Sequence, residues 1–165
     1  MALSLTQRLM ALGRAHDLVR PLPGHEGKAA LLGDLISVLL APYDDQGAFA
    51  GRIRVSVPRM GVGERTATTL ALVMHELATN AVKHGALSSE CGTLEISSTL
   101  DDQDMSLIWA ETGGPLIARA PDMHGFGSKL ISRSIANDLA GSLSYDWQAD
   151  GLVATLRMRK DKLAD

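Results

Sequence analysis

The chain has 165 residues, 45% of them hydrophobic and 21% charged. That is enough apolar side chain to offset the ordering entropy of one ordinary domain, and too little length for two comfortable ones, so intrinsic disorder is not expected. Sixteen Lys and Arg against nineteen Asp and Glu leave a formal net charge of −3, no basic excess with which to neutralise a phosphate backbone, so generic nucleic-acid binding is not expected either.

A single cysteine, Cys91, excludes an internal disulfide framework and any Cys-built zinc or iron–sulfur site; it fits a reducing compartment, and the cytoplasm is the expected location. The start, MALSLTQRLMALGRAHDLV, has no cationic cluster followed by an apolar block and a small-residue cleavage site. Its residues Leu5, Leu9, Leu12, His16 and Val19 step by threes and fours, which predicts a helix with one apolar stripe, ended by Pro21 and Pro23. A second helix is expected over Ala29 to Leu40, stopping at Pro42; Asp34 and Ser37 interrupt it, so it falls short of a membrane span. Tyr43 to Gly51 is rich in Asp and Gly and reads as a loop, and Arg52 to Val57 alternates as a half-buried strand.

From Glu64 to about Ala86 there is no proline, and Leu70, Val73, Met74, Leu77 and Ala81 form a helical face that closes at Gly85. Thr93 to Leu100 and Met105 to Glu111 flank Asp101 to Asp104 as a hairpin, and Thr112 to His124, with Gly113, Gly114, Pro115 and Pro121, is expected to be irregular. Gly125 to Gly127 opens a helix over Ser128 to Ala140, and Ser142 to Trp147 with Leu152 to Met158 makes a last hairpin around Asp150 and Gly151. This order predicts an α+β fold: a two-layer α/β sandwich whose mixed, mainly antiparallel sheet carries helices on one face, preceded by an N-terminal helix.

The informative segment is HELATNAVKHGAL, His75 to Leu87. On a helix Glu76, Asn80 and Lys83 lie at i, i+4 and i+7, so a carboxylate, an amide and an amine share one side beside the buried face. An amide oxygen near a carboxylate suits Mg²⁺, which takes one or two protein oxygens and fills its shell from substrate phosphates. Spacing alone equally allows the ordinary solvated face of a helix. The zinc-protease pattern HExxH is absent, because Thr79 stands where its second histidine belongs.

In WAETGGPLIARAPDMHGFGSKLI, Trp109 to Ile131, Glu111 ends a predicted strand just before Gly113 and Gly114. Its carboxylate is expected to face a pocket where the backbone leaves the sheet, able to accept from an exocyclic amine such as that of adenine. Gly125 and Gly127 precede a helix, whose free N–H groups and positive dipole end suit a phosphate. By itself a GxG before a helix is often only a cap, and neither the phosphate-loop pattern nor a full dinucleotide GxGxxG is present.

Together these two segments resemble the ATP-binding domain of the GHKL superfamily, which has the Bergerat ATP-binding fold, and within it the HWE histidine kinases: His75 of HELATNAVKHGAL supplies the histidine, and Trp109 and Glu111 of IWAETGGP the tryptophan and glutamate. The resemblance covers roughly Arg52 to Met158. It implies that Asn80 binds Mg²⁺, that Glu76 polarises the attacking group, and that Lys83 and His84 line the triphosphate. It further implies that Glu111, with Gly113 beside it, reads the adenine amine; that Gly125, Phe126, Gly127 and Ser128 form the glycine box at the phosphates; and that Thr155 supports the adenine site. Thr112 to His124 would be a short ATP lid. The cofactors implied are ATP and Mg²⁺, and the chemistry is transfer of the γ-phosphoryl group to a histidine imidazole. The resemblance also counts His75 among the ATP-binding residues, while by its own setting His75 reads as a brace for its helix, hydrogen-bonded to a neighbouring segment, and Trp109 as core packing behind the pocket.

RAHDLV at the end of the first helix is similar to the second helix of the dimerisation and phosphoacceptor domain of such kinases, so residues 1–22 are expected to be a remnant of that domain and 23–165 the catalytic ATP-binding domain. The acceptor histidine of the family lies upstream of that stretch, so none is expected in this chain. His16 reads as a packed or interface histidine, and His25 and His124 fall in loops. The partners implied are the dimerisation and phosphoacceptor domain of the same or a partner kinase and a response regulator, with no nucleic acid and no membrane contact; the apolar stripe of the first helix leaves a homodimer open. Two other readings stand beside this one: a degenerate GHKL scaffold or nucleotide-binding module without kinase activity, which would be expected to lack Asn80 or the glycine box, and an anti-sigma-factor serine kinase, which shares the helix pattern of Glu76 and Asn80.

Overall fold

The computed structural model describes residues 6, 9–10, 12–13, 30–44, 51–117 and 126–165, with the side chains of Ala30, Asp44 and 126–128 excepted. Of the expected N-terminal helix, Thr6, Leu9, Met10, Leu12 and Gly13 are helical, and Leu12 packs on the core; the remainder of that helix lies outside the described residues. So do His16, His25, Arg119, His124 and Gly125.

The main sheet has five strands: β2 (Ile53–Val55), β4 (Thr93–Leu100), β5 (Asp104–Thr112), β6 (Ser142–Gln148) and β7 (Gly151–Arg159), in the order β2-β4-β5-β7-β6. Only β2 and β4 pair in parallel; β4 with β5, β5 with β7 and β6 with β7 are antiparallel. This is the mixed, mainly antiparallel sheet the sequence predicts. Period-two alternation decides its faces. Leu94 and Ile96 of β4, Met105, Leu107 and Trp109 of β5, and Ala154, Leu156 and Met158 of β7 are all buried on the same side. Three helices cover that side: α1 (Leu32–Asp44), α2 (Glu64–Lys83) and α3 (Phe126–Leu139). Burying one such leucine or valine contributes roughly 1.5–3 kcal/mol, so the apolar stripe of each helix fixes which way it faces. Among the described residues no helix is long and apolar enough to cross a membrane.

Two expectations are corrected here. The helix expected to open at Ala29 begins at Leu32, because Ala30–Leu31 (β1) pairs antiparallel with Gly61–Val62 (β3) in a separate two-stranded sheet, and Leu32 N donates to Met60 O at 2.8 Å. Nor does Pro42 stop it: α1 runs on to Asp44. A proline removes one i→i−4 bond, but Tyr43 in the same turn packs against the core and its hydroxyl lies 2.9 Å from His75 Nδ1. Tertiary contact holds the turn that local preference would release.

Helix α2 is the axis of the molecule. It packs on α1 through the Tyr43–His75 hydrogen bond and on α3 through Thr69 Oγ1, which donates to Asp138 Oδ2 at 2.8 Å. Its N-cap, Gly63, makes no side-chain cap. The segment after β7 does the capping instead: Asp165 O accepts from Arg65 N at 3.0 Å and from Thr66 N at 3.3 Å, and Lys162 O accepts from Thr66 Oγ1 at 2.7 Å. These satisfy donors that every helix start leaves unpaired.

Candidate functional site

On α2, Glu76 and Asn80 are half-buried, while Lys83 and His84 are exposed at the helix end. Their side of the helix is the side of Thr69, because 69, 76 and 80 recur at seven and four residues. That side faces α3. It also looks onto the inner face of β6, where burial, and after it the nearby charge of Glu76, push the Tyr145 hydroxyl pKa up. Tyr145 stacks on Trp147, ring centroids 6.0 Å apart and planes at 9°. The Thr69–Asp138 bond ties the first half of α2 to the last turn of α3, the helix that Phe126, Gly127 and Ser128 open. The structure thus brings Glu76, Asn80 and Lys83 together along the side of α2 on which Thr69 meets α3.

Glu111, expected to face a pocket where the backbone leaves the sheet, is only 3% exposed, and both carboxylate oxygens are engaged by the chain. Oε1 accepts from Ala86 N at 2.9 Å, and Oε2 accepts from Trp109 Nε1 at 2.9 Å. Burial, opposed by these two donors, holds its pKa above the ordinary glutamate value of 4.5. Glycine makes the arrangement possible: a Cβ at Gly85 would overlap Glu111 Oε1, and one at Gly151 would overlap the Glu111 carbonyl. Gly113, with φ +78°, turns the chain out of β5 in the left-handed region, and Gly114 lies so close that a Cβ would stand 2.8 Å from Ala86 N.

His75 is 4% exposed and braced on Tyr43, a hydrogen bond to a neighbouring segment as its sequence context suggests. Thr155 is a correction. It pairs with Ile108 and Ser144, whereas Trp109 pairs with Ala154; Thr155 therefore projects from the face of the sheet opposite Glu111 and the helices, where it cannot support a site between them. The residues missed in the sequence are Ala86, whose N–H donates to Glu111, and the Tyr145–Trp147 stack. A signal for the stack was present, since both aromatics and the apolar positions of β6 recur at i, i+2.

Among the described residues, no group of three or more His, Cys, Asp or Glu stands ready to hold a metal ion. The donor set on α2, one amide oxygen with one carboxylate a turn away, fits an ion that takes most of its shell from phosphate oxygens and water, as Mg²⁺ does.

No protein-family model matches the chain. Blue-light-activated histidine kinase 1 of Erythrobacter litoralis is 40% identical to it over 157 residues, 93% of this chain and 42% of the relative. A blue-light-activated histidine kinase of Brucella anthropi is 35% identical over 152 residues, 90% of this chain and 30% of the relative. The chain thus spans less than half the length of these curated relatives. Among solved structures, the histidine kinase domain of the Erythrobacter litoralis EL346 blue-light-activated kinase superposes with a TM-score of 0.68 at 19% identity, covering 98% of this chain and 83% of that one. The histidine kinase AdeS of Acinetobacter baumannii gives 0.61 at 20% identity, covering 95% and 77%. The catalytic domain of histidine kinase ThkA gives 0.59 at 15% identity, covering 79% and 94%. At such identities these structures share the fold.

Proposed function

We propose, for a chain that belongs to the HWE group of GHKL histidine kinase ATP-binding domains, that it binds Mg·ATP between α2 and α3 and presents the γ-phosphoryl group to a histidine supplied by a dimerisation and phosphoacceptor domain. The observation that carries this reading is the run of Glu76, Asn80 and Lys83 along the side of α2 that faces α3. Asn80 would hold the Mg²⁺, which would supply positive charge to offset that of the phosphates. Lys83, with His84 beside it, meets the triphosphate as an exposed cation. The backbone N–H groups of Gly127 and Ser128, after Gly125 and Phe126, take up anionic oxygen at the start of α3. Glu76 orients the incoming imidazole. Glu111 lies at the adenine end, with Gly113 leading from it into the lid, and each of its oxygens keeps a lone pair beyond the one used by Ala86 or Trp109. Positioning and charge, rather than covalent chemistry by the protein, do the catalysis.

The wider setting follows from the same reading. Residues 1–22 belong to the second helix of a dimerisation and phosphoacceptor domain, 23–165 to the catalytic domain, and the phosphoryl group passes on to a response regulator in the cytoplasm. Calorimetric titration of ATP, with and without Mg²⁺, into the chain and its Asn80→Ala variant tests the site. Magnesium-dependent binding that the substitution abolishes is the expected result. No binding by the unmodified chain overturns the reading in favour of a degenerate scaffold.

A further inference from the structure

Trp109 is buried, 2% exposed, and its indole N–H is spent on a carboxylate two residues away on the same strand face. Simple core packing needs no such bond. The bond matters for what it holds in place. Glu111, fixed by the indole at Oε2, receives Ala86 N at Oε1. Ala86 opens the short 3₁₀ turn Ala86–Ser88, whose cap Gly85 supplies no side chain of its own. The same turn closes α2: His84 N donates to Asn80 O at 2.8 Å, and Gly85 N to Asn80 O at 3.1 Å and to Ala81 O at 3.0 Å. From below, Arg52 donates to the carbonyls of Leu87 and Ser89. Gly114, second in the irregular segment after β5, rests on the Ala86 backbone, and Gly92 on its carbonyl. One short stretch of backbone, 84–86, is therefore the meeting point of the Asn80 carbonyl, the Lys83 end of α2 and the root of the lid.

We infer that Trp109 is a positioning residue: through Glu111 and the Ala86 N–H it locks the turn behind Asn80 and Lys83, so that a substitution in the sheet is felt at the triphosphate end of the site as well as at the base. The inference rests on the nucleotide reading above. It adds that the tryptophan and glutamate act as one hydrogen-bonded clamp and that the clamp has two outputs, base and phosphates. A residue that served base recognition alone would change the preference between purines. A clamp that also acts through the 84–86 turn lowers affinity for every nucleoside triphosphate, including one without the amine.

The test compares the wild-type chain with Trp109→Phe, which keeps the ring and removes the indole donor. Two quantities are read: hydrogen exchange of the Ala86 amide without nucleotide, and affinity for Mg·ATP and for Mg·inosine triphosphate, which carries an oxygen where ATP carries its amine. The clamp predicts faster Ala86 exchange and an affinity loss of about tenfold, the size of one hydrogen bond, for Mg·inosine triphosphate, with a loss at least as large for Mg·ATP. Unchanged Ala86 exchange overturns the inference, and so does a loss confined to ATP. If Trp109→Phe fails to fold, Glu111→Gln serves for the exchange measurement, because a glutamine has one acceptor oxygen for two donors, so the indole and the Ala86 N–H compete for it and the clamp is broken. Should the wild-type chain bind neither nucleotide, the kinase reading fails while Ala86 exchange still decides the clamp.

Discussion

The two ends of α2 are closed by different means, and the difference separates what holds the fold from what shapes the site. Neither end has a side-chain cap of its own. At the N-terminal end the spare N–H groups find main-chain oxygens of Leu163 and Asp165, on a peripheral segment that is anchored by buried Leu163. At the C-terminal end the chain turns onto a buried carboxylate, held by an indole and seated against two glycines. Backbone carbonyls satisfy a helix start cheaply and tolerate exchange with water. A buried carboxylate carries a desolvation penalty that its two hydrogen bonds only partly offset. That second arrangement stands behind Asn80 and Lys83, where exact placement of a few groups matters to catalysis.

The same substitution at either end breaks the comparison most sharply. Gly85→Ala puts a methyl group where Glu111 Oε1 lies, and the carboxylate must leave both its donors. Leaving buried Ala86 N and Trp109 Nε1 unpaired costs roughly 1–3 kcal/mol each. A loss of about 3–5 kcal/mol by denaturant titration is expected, with nucleotide affinity falling steeply. Gly63→Ala instead meets the backbone oxygens of Ala164 and Asp165 and displaces that segment. Losing a helix cap costs about 1–2 kcal/mol, and nucleotide affinity measured under stable conditions should stay within twofold. Equal effects of the two substitutions on affinity would dissolve the distinction between the ends.

The C-terminal clamp should also leave a trace in the pH dependence of stability, because only that end contains a buried acid. The folded pKa of Glu111 lies above the 4.5 of the unfolded chain, chiefly through burial. In the window above that value the native state binds more protons than the unfolded state, so stability falls as pH rises. The contribution is fully present below the unfolded pKa and is lost as pH rises through the folded one. Glu111→Gln cannot titrate. The difference in unfolding free energy between wild type and this variant should therefore shift in the wild type's disfavour from about pH 4 to pH 7, and a flat difference would show that the clamp carries no titratable strain.

How much of this was legible in the sequence follows the range of the interactions. The hairpins were readable because period-two alternation and the Asp-rich turn at 101–104 are local, and α2 was readable because twenty residues carry a single face. The polar side of α2 was also local, since Glu76, Asn80 and Lys83 need only helical geometry to align. The pairing of Ala30–Leu31 with Gly61–Val62 was not readable, because two residues are too few to show a period. Continuation of α1 through Pro42 was hidden for another reason: the bond that sustains it reaches 32 residues away, to His75. The inward turn of Glu111 depends on Ala86 and on the absence of Cβ atoms at Gly85 and Gly151, three positions that no local pattern joins. Thr155 is different, for its misplacement was avoidable. Leu152, Ala154, Leu156 and Met158 already marked the buried face of β7, and alternation puts Thr155 on the other.

The smallest effect concerns the brace midway between the ends of α2. His75 and Tyr43 share one hydrogen bond between α1 and α2, and Tyr43→Phe removes the hydroxyl while keeping the ring against the core. A single such bond contributes about 1 ± 0.5 kcal/mol, so the variant should melt a few degrees lower with unaltered Mg·ATP affinity. The contrast with the C-terminal clamp is geometric: His75 points toward α1, away from the side of α2 that carries Glu76 and Asn80. If Tyr43→Phe weakened nucleotide binding as much as Trp109→Phe, α2 would be acting as one rigid lever, and the clamp at its end would lose its special place.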